Sequence, residues 1–150
     1  MTKSSTAPAT NSALLAKLNE IIELELSGVV RYLHYSFMIR GPNRIPIVGF
    51  FRDQATESMN HATLIGEKIT SLGGHPSLKV RPVPESGKHS TLEALGESLE
   101  FEKAGLQKYA ELLHLCGDNV ALEELAREFI RTEQEHIEEV EKMLAVPDKN

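Results

Sequence analysis

The stretch "TEQEHIE", Thr132–Glu138, decides how the rest of the chain is read. It sets Glu133 and His136 three residues apart in a seam whose other members are Leu122, Leu125, Phe129, Val140 and Leu144. Spacings of three and four trace the inward face of an amphipathic helix. A glutamate and a histidine therefore stand where leucines belong. A buried carboxylate is costly unless it is paired, protonated or bound to a cation. An earlier stretch, "TESMNHA", Thr56–Ala62, is its counterpart with one difference. Here Glu57 stands four residues before His61, and Ser58 holds the place three before.

Outward from these stretches the chain divides into four long helices. Helix A is expected from about Ser12 to Ile39, with Leu14, Leu18, Ile21, Glu25, Val29 and Tyr32 along its seam. "RGPNRIP" stops it with glycine and prolines. Helix B follows from about Ile47 to Leu72, its seam reading Val48, Phe51, Ala55, Ser58, Ala62, Ile65, Ile69 and Leu72, and "GGHP" ends it. A Pro- and Ser-rich segment, "SLKVRPVPESGKHS", reads as loop. Ser90 and Glu93 then form a capping box for helix C, which runs to about Cys116 with Leu92, Leu95, Leu99, Leu106 and Leu113 inward. After "GDN", helix D runs from about Val120 to Val146.

Each helix is about 26 residues, roughly 39 Å long. The B–C loop of about 17 residues reaches on the order of 55 Å, enough to cross the whole bundle. The expected fold is all-α: a ferritin-like four-helix bundle of two antiparallel hairpins joined by a long crossover. Residues 1–11 read as a flexible tail, 12–146 as the bundle and 147–150 as a C-terminal tail.

Composition is that of an ordinary globular domain, with 150 residues, 41% hydrophobic and 25% charged. A net charge of -6 argues against general binding to nucleic acid or anionic membranes. No apolar run is long enough for a membrane span, and "MTKSSTAPATNS" lacks the apolar core of a signal peptide. The lone Cys116 excludes a disulfide framework and makes the cytoplasm the expected compartment.

Every helix offers a metal-type side chain near its middle: Glu25, His61, Glu100, and the pair Glu133 and His136. Carboxylate and imidazole donors together suit iron, manganese or zinc. A Glu and a His three apart share a helix face and can grip one ion. Two such pairs with one further Glu from each remaining helix is the known di-iron arrangement of ferritin-like bundles.

On these residues the chain resembles a bacterioferritin over about residues 11–146. "ELSGVVRY" (Glu25–Tyr32), "LEFEKAG" with Glu100, "TEQEHIE" and His61 carry the likeness. The resemblance implies iron storage: two Fe(II) ions held by Glu25, His61, Glu100, Glu133 and His136, oxidised by O2 or H2O2, with Fe(III) collected in an oligomeric cage. That is a ferroxidase activity. Tyr32 is expected in the core with its hydroxyl near the carboxylates.

Two departures stand out. Ser58 occupies the place of the family's iron-bridging glutamate, which weakens the expected activity unless Glu57 serves as a ligand in its stead. A short fifth helix like the family's is also not expected. A homo-oligomer of at least two chains is expected, as a 12- or 24-subunit cage, as a dimer, or mixed with another ferritin subunit.

Met59 has two readings. The resemblance makes it a ligand of haem b shared across a two-fold dimer; the simpler one is packing in a dimer interface. It points about 160° away from His61, at about 100° per residue, and so cannot join the same metal site. The alternative functions are a haem-carrying or structural subunit with an impaired iron site, and a Dps-like protein consuming peroxide. His34, His75, His89 and His114 read as surface or loop histidines.

Overall fold

A computed structural model describes the backbone of residues 6–147 and the side chains of residues 11–147. Among these residues there are four helices and no strand: α1 (Thr6–Met38), α2 (Arg44–Ser71), α3 (Thr91–Leu113) and α4 (Val120–Leu144). Of the two expected tails, residues 1–5 and 148–150 lie outside the described part.

The helix ends differ from the expected ones for local reasons. α1 begins at Thr6, ahead of Ser12, and α2 at Arg44, ahead of Ile47. Pro8 and Pro46 fall in the respective first turns, where a missing N–H costs nothing and the fixed φ suits a helix. α2 ends in a Schellman motif. Gly73 N–H donates to Thr70 O at 3.0 Å and Gly74 N–H to Ile69 O at 2.9 Å, with Gly73 at φ +80°. Ser90 caps α3 by accepting from Glu93 N–H at 3.1 Å, and Asn119 caps α4 by accepting from Leu122 N–H at 3.1 Å.

α1 packs along α2 and α3 along α4, and α1 joins the two hairpins through α3. Between the hairpins the crossover climbs α1. Ser77 N–H donates to Asn19 Oδ1 and Arg81 N–H to Glu23 O, and Glu85 reaches His34 further up. The loop thus returns the chain to the end from which α2 started, which is why α3 runs parallel to α2.

The core has two apolar halves. One holds Leu18, Ile21, Ile65, Ile69, Leu112, Leu122 and Phe129; the other holds Tyr35, Ile39, Phe51, Ala55, Leu95 and Val140. Between them lies a layer of buried polar residues: Glu25, Ser58, His61, Glu102 and Glu133. Burial of large apolar side chains on both sides, each contributing about 1.5–3 kcal/mol, fixes the level at which this layer sits.

α3 departs most from expectation. Its inward seam is Ala94, Leu95, Ser98, Glu102, Gly105, Tyr109 and Leu112. Leu92 is exposed, and Leu99, Leu106 and Leu113 lie only partly covered at the seam's edge. The leucines recur every seven residues and suggest a seam, but the helix buries smaller and polar residues beside them.

Candidate metal centre

The polar layer gathers donors from all four helices. α1 supplies Glu25, α2 supplies His61 with Glu57 one turn earlier, α3 supplies Glu102, and α4 supplies Glu133 and His136. Glu25, Glu102 and Glu133 are about 95% buried by exposures of 4%, 5% and 4%.

Two overlapping triads result: Glu25, His61 and Glu133, and Glu102, Glu133 and His136. In each, one donor atom per residue lies within 4.8 Å of the others. Glu133 belongs to both, so its carboxylate stands between the two positions. His61 Nδ1 is 3.4 Å from Glu133 Oε1 and 3.6 Å from Glu25 Oε1. His136 Nδ1 is 3.8 Å from Glu102 Oε2. Both Nδ1 atoms are buried and lack a hydrogen-bond partner. Unpartnered buried nitrogens are rare and call for an explanation. Here both face carboxylate oxygens at spacings that a shared cation would fill.

Two tyrosines hold the outer oxygens. Tyr109 Oη donates to Glu25 Oε1 at 2.7 Å, and Tyr32 Oη donates to Glu102 Oε1. Tyr32 is thus where the sequence reading expects it, with its hydroxyl on a carboxylate of the cluster. Burial, reinforced by the neighbouring carboxylates, pushes both phenols well up, so they remain donors.

The carboxylates share protons. Burial, then the hydrogen bond and charge of Glu102, hold Glu133 well above the usual carboxylate range. Burial raises Glu102 too, but its interactions with Glu133, His136 and Tyr32 outweigh it and bring it below that range. Burial disfavours charge on His136, yet Glu102 and Glu57 overcome it and push the imidazole up to about 10. His61 moves the same way, with Glu25 foremost against the burial penalty. A cation entering this cluster displaces protons from it.

Glu100 is not in the centre. It is exposed, with Lys103 Nζ 3.7 Å from its carboxylate. Glu102, two residues on and about 200° around the helix, takes the inward place. Glu57 is placed differently from expectation as well. Its Oε2 is 2.8 Å from His136 Nε2 and its Oε1 3.8 Å from His61 Nε2. These are the ring atoms facing away from the triads. From one turn before His61, Glu57 reaches the outer edge of both rings rather than the space between the Nδ1 atoms. Ser58 is buried against α1 where Gly28 offers no side chain: a Cβ there would lie 2.7 Å from Ser58 Oγ. Met59 is 51% exposed, turned away from the cluster as its helical position requires.

Two paired helical hairpins around a mid-bundle layer of carboxylates and imidazoles define an all-α four-helix bundle with candidate cation ligands at its centre. The chain belongs to the ferritin family: the family model, described as a ferritin-like domain, matches residues 15–149. Its fold is similar to that of a ferritin-like, diiron-carboxylate protein from Bacillus anthracis str. Ames, at 24% identity and TM-score 0.85, covering 91% of this chain and 98% of that one. It is also similar to Dps from Thermosynechococcus elongatus, at 16% identity and TM-score 0.88, covering 96% and 98%. A third similar fold is Rhodobacter capsulatus bacterioferritin, at 22% identity and TM-score 0.76, covering 89% and 84%.

Proposed function

We propose that this protein takes up Fe(II), oxidises it at the mid-bundle cluster and stores the Fe(III) inside an oligomeric shell. The observation that carries the reading is the pair of buried, unpartnered Nδ1 atoms of His61 and His136, each facing carboxylates and sharing Glu133. Glu25 and His61 hold one iron, Glu102 and His136 the other, and Glu133 bridges them. The donor set of oxygen and imidazole nitrogen suits Fe(II). Two Fe(II) give up one electron each; with two protons these reduce O2 to H2O2, or H2O2 to two waters. Glu57 keeps the Nε2 side of both rings occupied, so Nδ1 is the atom presented inward.

Assembly fits the outer face of α1. Val30, Leu33 and Phe37, spaced three and four apart, are 51%, 36% and 62% exposed. Such a stripe is an interaction surface, and a second copy of the chain covers it in this reading. No helix among the described residues is long and apolar enough to cross a membrane. The lone free Cys116, buried, suits a reducing cytoplasm.

The exposure of Met59 favours a second reading, a haem-carrying subunit. Its thioether on the outer face of α2 supplies half of a paired-methionine site that a second copy completes, and haem b bound there would relay electrons.

Stopped-flow absorbance after adding two Fe(II) per chain tests the main reading. Oxidation faster than in buffer, lost in Glu133→Ala, supports it. Oxidation at the buffer rate overturns it, and a Soret band in protein supplied with haem, absent in Met59→Ala, then favours the second.

A further inference from the structure

A second donor cluster lies outside the mid-bundle layer. His34 on α1 meets Glu85 and His89 of the crossover, and the three offer donor atoms within 4.8 Å of one another. His34 Nε2 is 2.9 Å from Glu85 Oε2, and His89 Nε2 is 3.6 Å from Glu85 Oε1. The imidazoles stand edge to face, 5.7 Å between centroids. His34 Nε2 is buried, and despite its short approach to Glu85 it makes no aligned hydrogen bond. A nitrogen close to a carboxylate oxygen but out of line for a proton is placed as two ligands of one ion are placed. Around a tetrahedral ion with bonds of about 2.0–2.1 Å, neighbouring donors are about 3.3 Å apart. The two measured separations, each to a different oxygen of the Glu85 carboxylate, lie on either side of that spacing, and one donor atom from each residue stays within 4.8 Å of the others.

The loop is built to hold the carboxylate there. Gly87 N–H donates to Glu85 Oε1 at 2.8 Å, and Gly87 takes φ +71°, a conformation that side-chain-bearing residues rarely adopt. Glu85 is therefore set by its own turn before any ion arrives. His89 is half-buried and Glu85 exposed, which leaves room for a fourth ligand.

We propose that His34, Glu85 and His89 form a separate site for a borderline divalent metal ion, with Zn2+ as the ion the tetrahedral N2O set suits best and water as the fourth ligand. Its consequence is mechanical. One ion would clip the crossover to α1 at a point well beyond the Arg81–Glu23 backbone bond, where only side chains now bridge the two.

The test uses the full chain and Zn2+ itself. Equilibrium dialysis counts Zn2+ per chain in the wild type, in His89→Ala and in His34→Ala, and again with Glu133→Ala added to each. The site predicts that His89→Ala and His34→Ala each lose one equivalent, and that the same loss recurs in the Glu133→Ala background, whatever the central cluster binds. Amide hydrogen exchange over the Glu85–His89 turn slows on adding Zn2+ in the wild type and not in His89→Ala. His89→Gln, whose thermal melt without metal checks folding, behaves as His89→Ala. If the three residues are only a solvated ion pair, wild type and His89→Ala bind equal Zn2+ and exchange does not change. Either result overturns the proposal.

Discussion

The carboxylate of Glu57 meets Nε2 of His136 at 2.8 Å, on the ring edge opposite the Nδ1 atom that faces Glu102. With His61 Nε2 near its other oxygen, one carboxylate serves the outer edge of both imidazoles. A histidine whose outer nitrogen is held this way presents the inner one at a fixed angle.

Glu57→Ala is expected to weaken metal binding by about 10–100-fold while leaving two ions bound per chain at saturation, because no ligand is removed. Equilibrium binding of Zn2+ or Co2+ under non-oxidising conditions measures both quantities, compared in the His89→Ala background to set the crossover cluster aside. Saturation at one ion would instead make Glu57 a ligand that swings inward.

Glu102→Ala and Glu100→Ala separate the two candidate ligands on α3. Glu100 is solvent-exposed, so its removal leaves Fe(II) oxidation and apo stability within about 0.5 kcal/mol of wild type. Glu102→Ala strips the second position of its terminal carboxylate. Rapid oxidation of two Fe(II) per chain should be lost, with helical content retained by circular dichroism. Equal oxidation rates in the two variants would place the second iron elsewhere.

Much of this was legible in residues, and the exception has a physical cause. α2 keeps a seam of three-and-four spacings whose expected inward residues from Val48 to Ile69 are all buried, Ser58 among them, and His61 beside that seam is buried too. On α4 the expected seam residues Leu122, Phe129, Glu133 and Val140 are buried, while Leu125, His136 and Leu144 are only partly covered. On α3 the strongest apolar signal comes from leucines at its margin, while its true seam narrows to Ser98, Glu102 and Gly105. Gly105 lies against the Glu133 carboxylate, whose Oε2 would stand at an ordinary contact distance of 3.8 Å from a Cβ there. A metal layer needs small neighbours, and small residues carry little hydropathy. Tyr109, four residues beyond Gly105 and seven beyond Glu102, was the available clue. The His34–Glu85–His89 contact was invisible for another reason: it depends on how the crossover lies against α1, which no periodicity encodes.

The α1–α3 contact carries a charge network with a definite pH signature. Lys17 Nζ donates to Glu20 at 2.8 Å and to Glu111, and Lys108 pairs with Glu20. Hydrogen bonds from Lys108 and then Lys17 hold Glu20 below the usual carboxylate range; those from Lys17 and then Gln107 do so for Glu111. Hydrogen bonding to Glu111 and then Glu20 holds Lys17 above its ordinary value. Depressed carboxylates contribute above their unfolded pKa and lose that contribution as pH falls through the folded one. The raised lysine contributes below its unfolded pKa and loses it as pH rises through the folded value. The network is therefore complete at neutral pH. Glu20→Gln should lower stability to urea near about pH 7 by roughly 0–1 kcal/mol, since the groups are partly exposed. The gap should close near about pH 2, where carboxylates protonate in both proteins, and shrink in about 1 M salt. A gap that persisted in acid would place the effect in packing.

Gly28 tests how tightly α1 and α2 close over the polar layer. A Cβ at this position would stand 2.7 Å from Ser58 Oγ and 3.0 Å from the Phe101 ring. Neither spacing fits a methyl group, and Ser58 sits 6% exposed with little room to withdraw. Alanine is the better helix former by about 1 kcal/mol, so on propensity alone Gly28→Ala would stabilise α1. Overpacking costs about 1–3 kcal/mol and should win, giving a net loss in urea unfolding with unchanged slope. Ser58→Ala removes the closer of the two obstacles. The double variant should therefore recover part of the loss, a coupling of about 0.5 kcal/mol or more in the Gly28–Ser58 cycle. Strict additivity would mean that the helices part at this level without strain, and that Ser58 is not what keeps the α1–α2 gap closed.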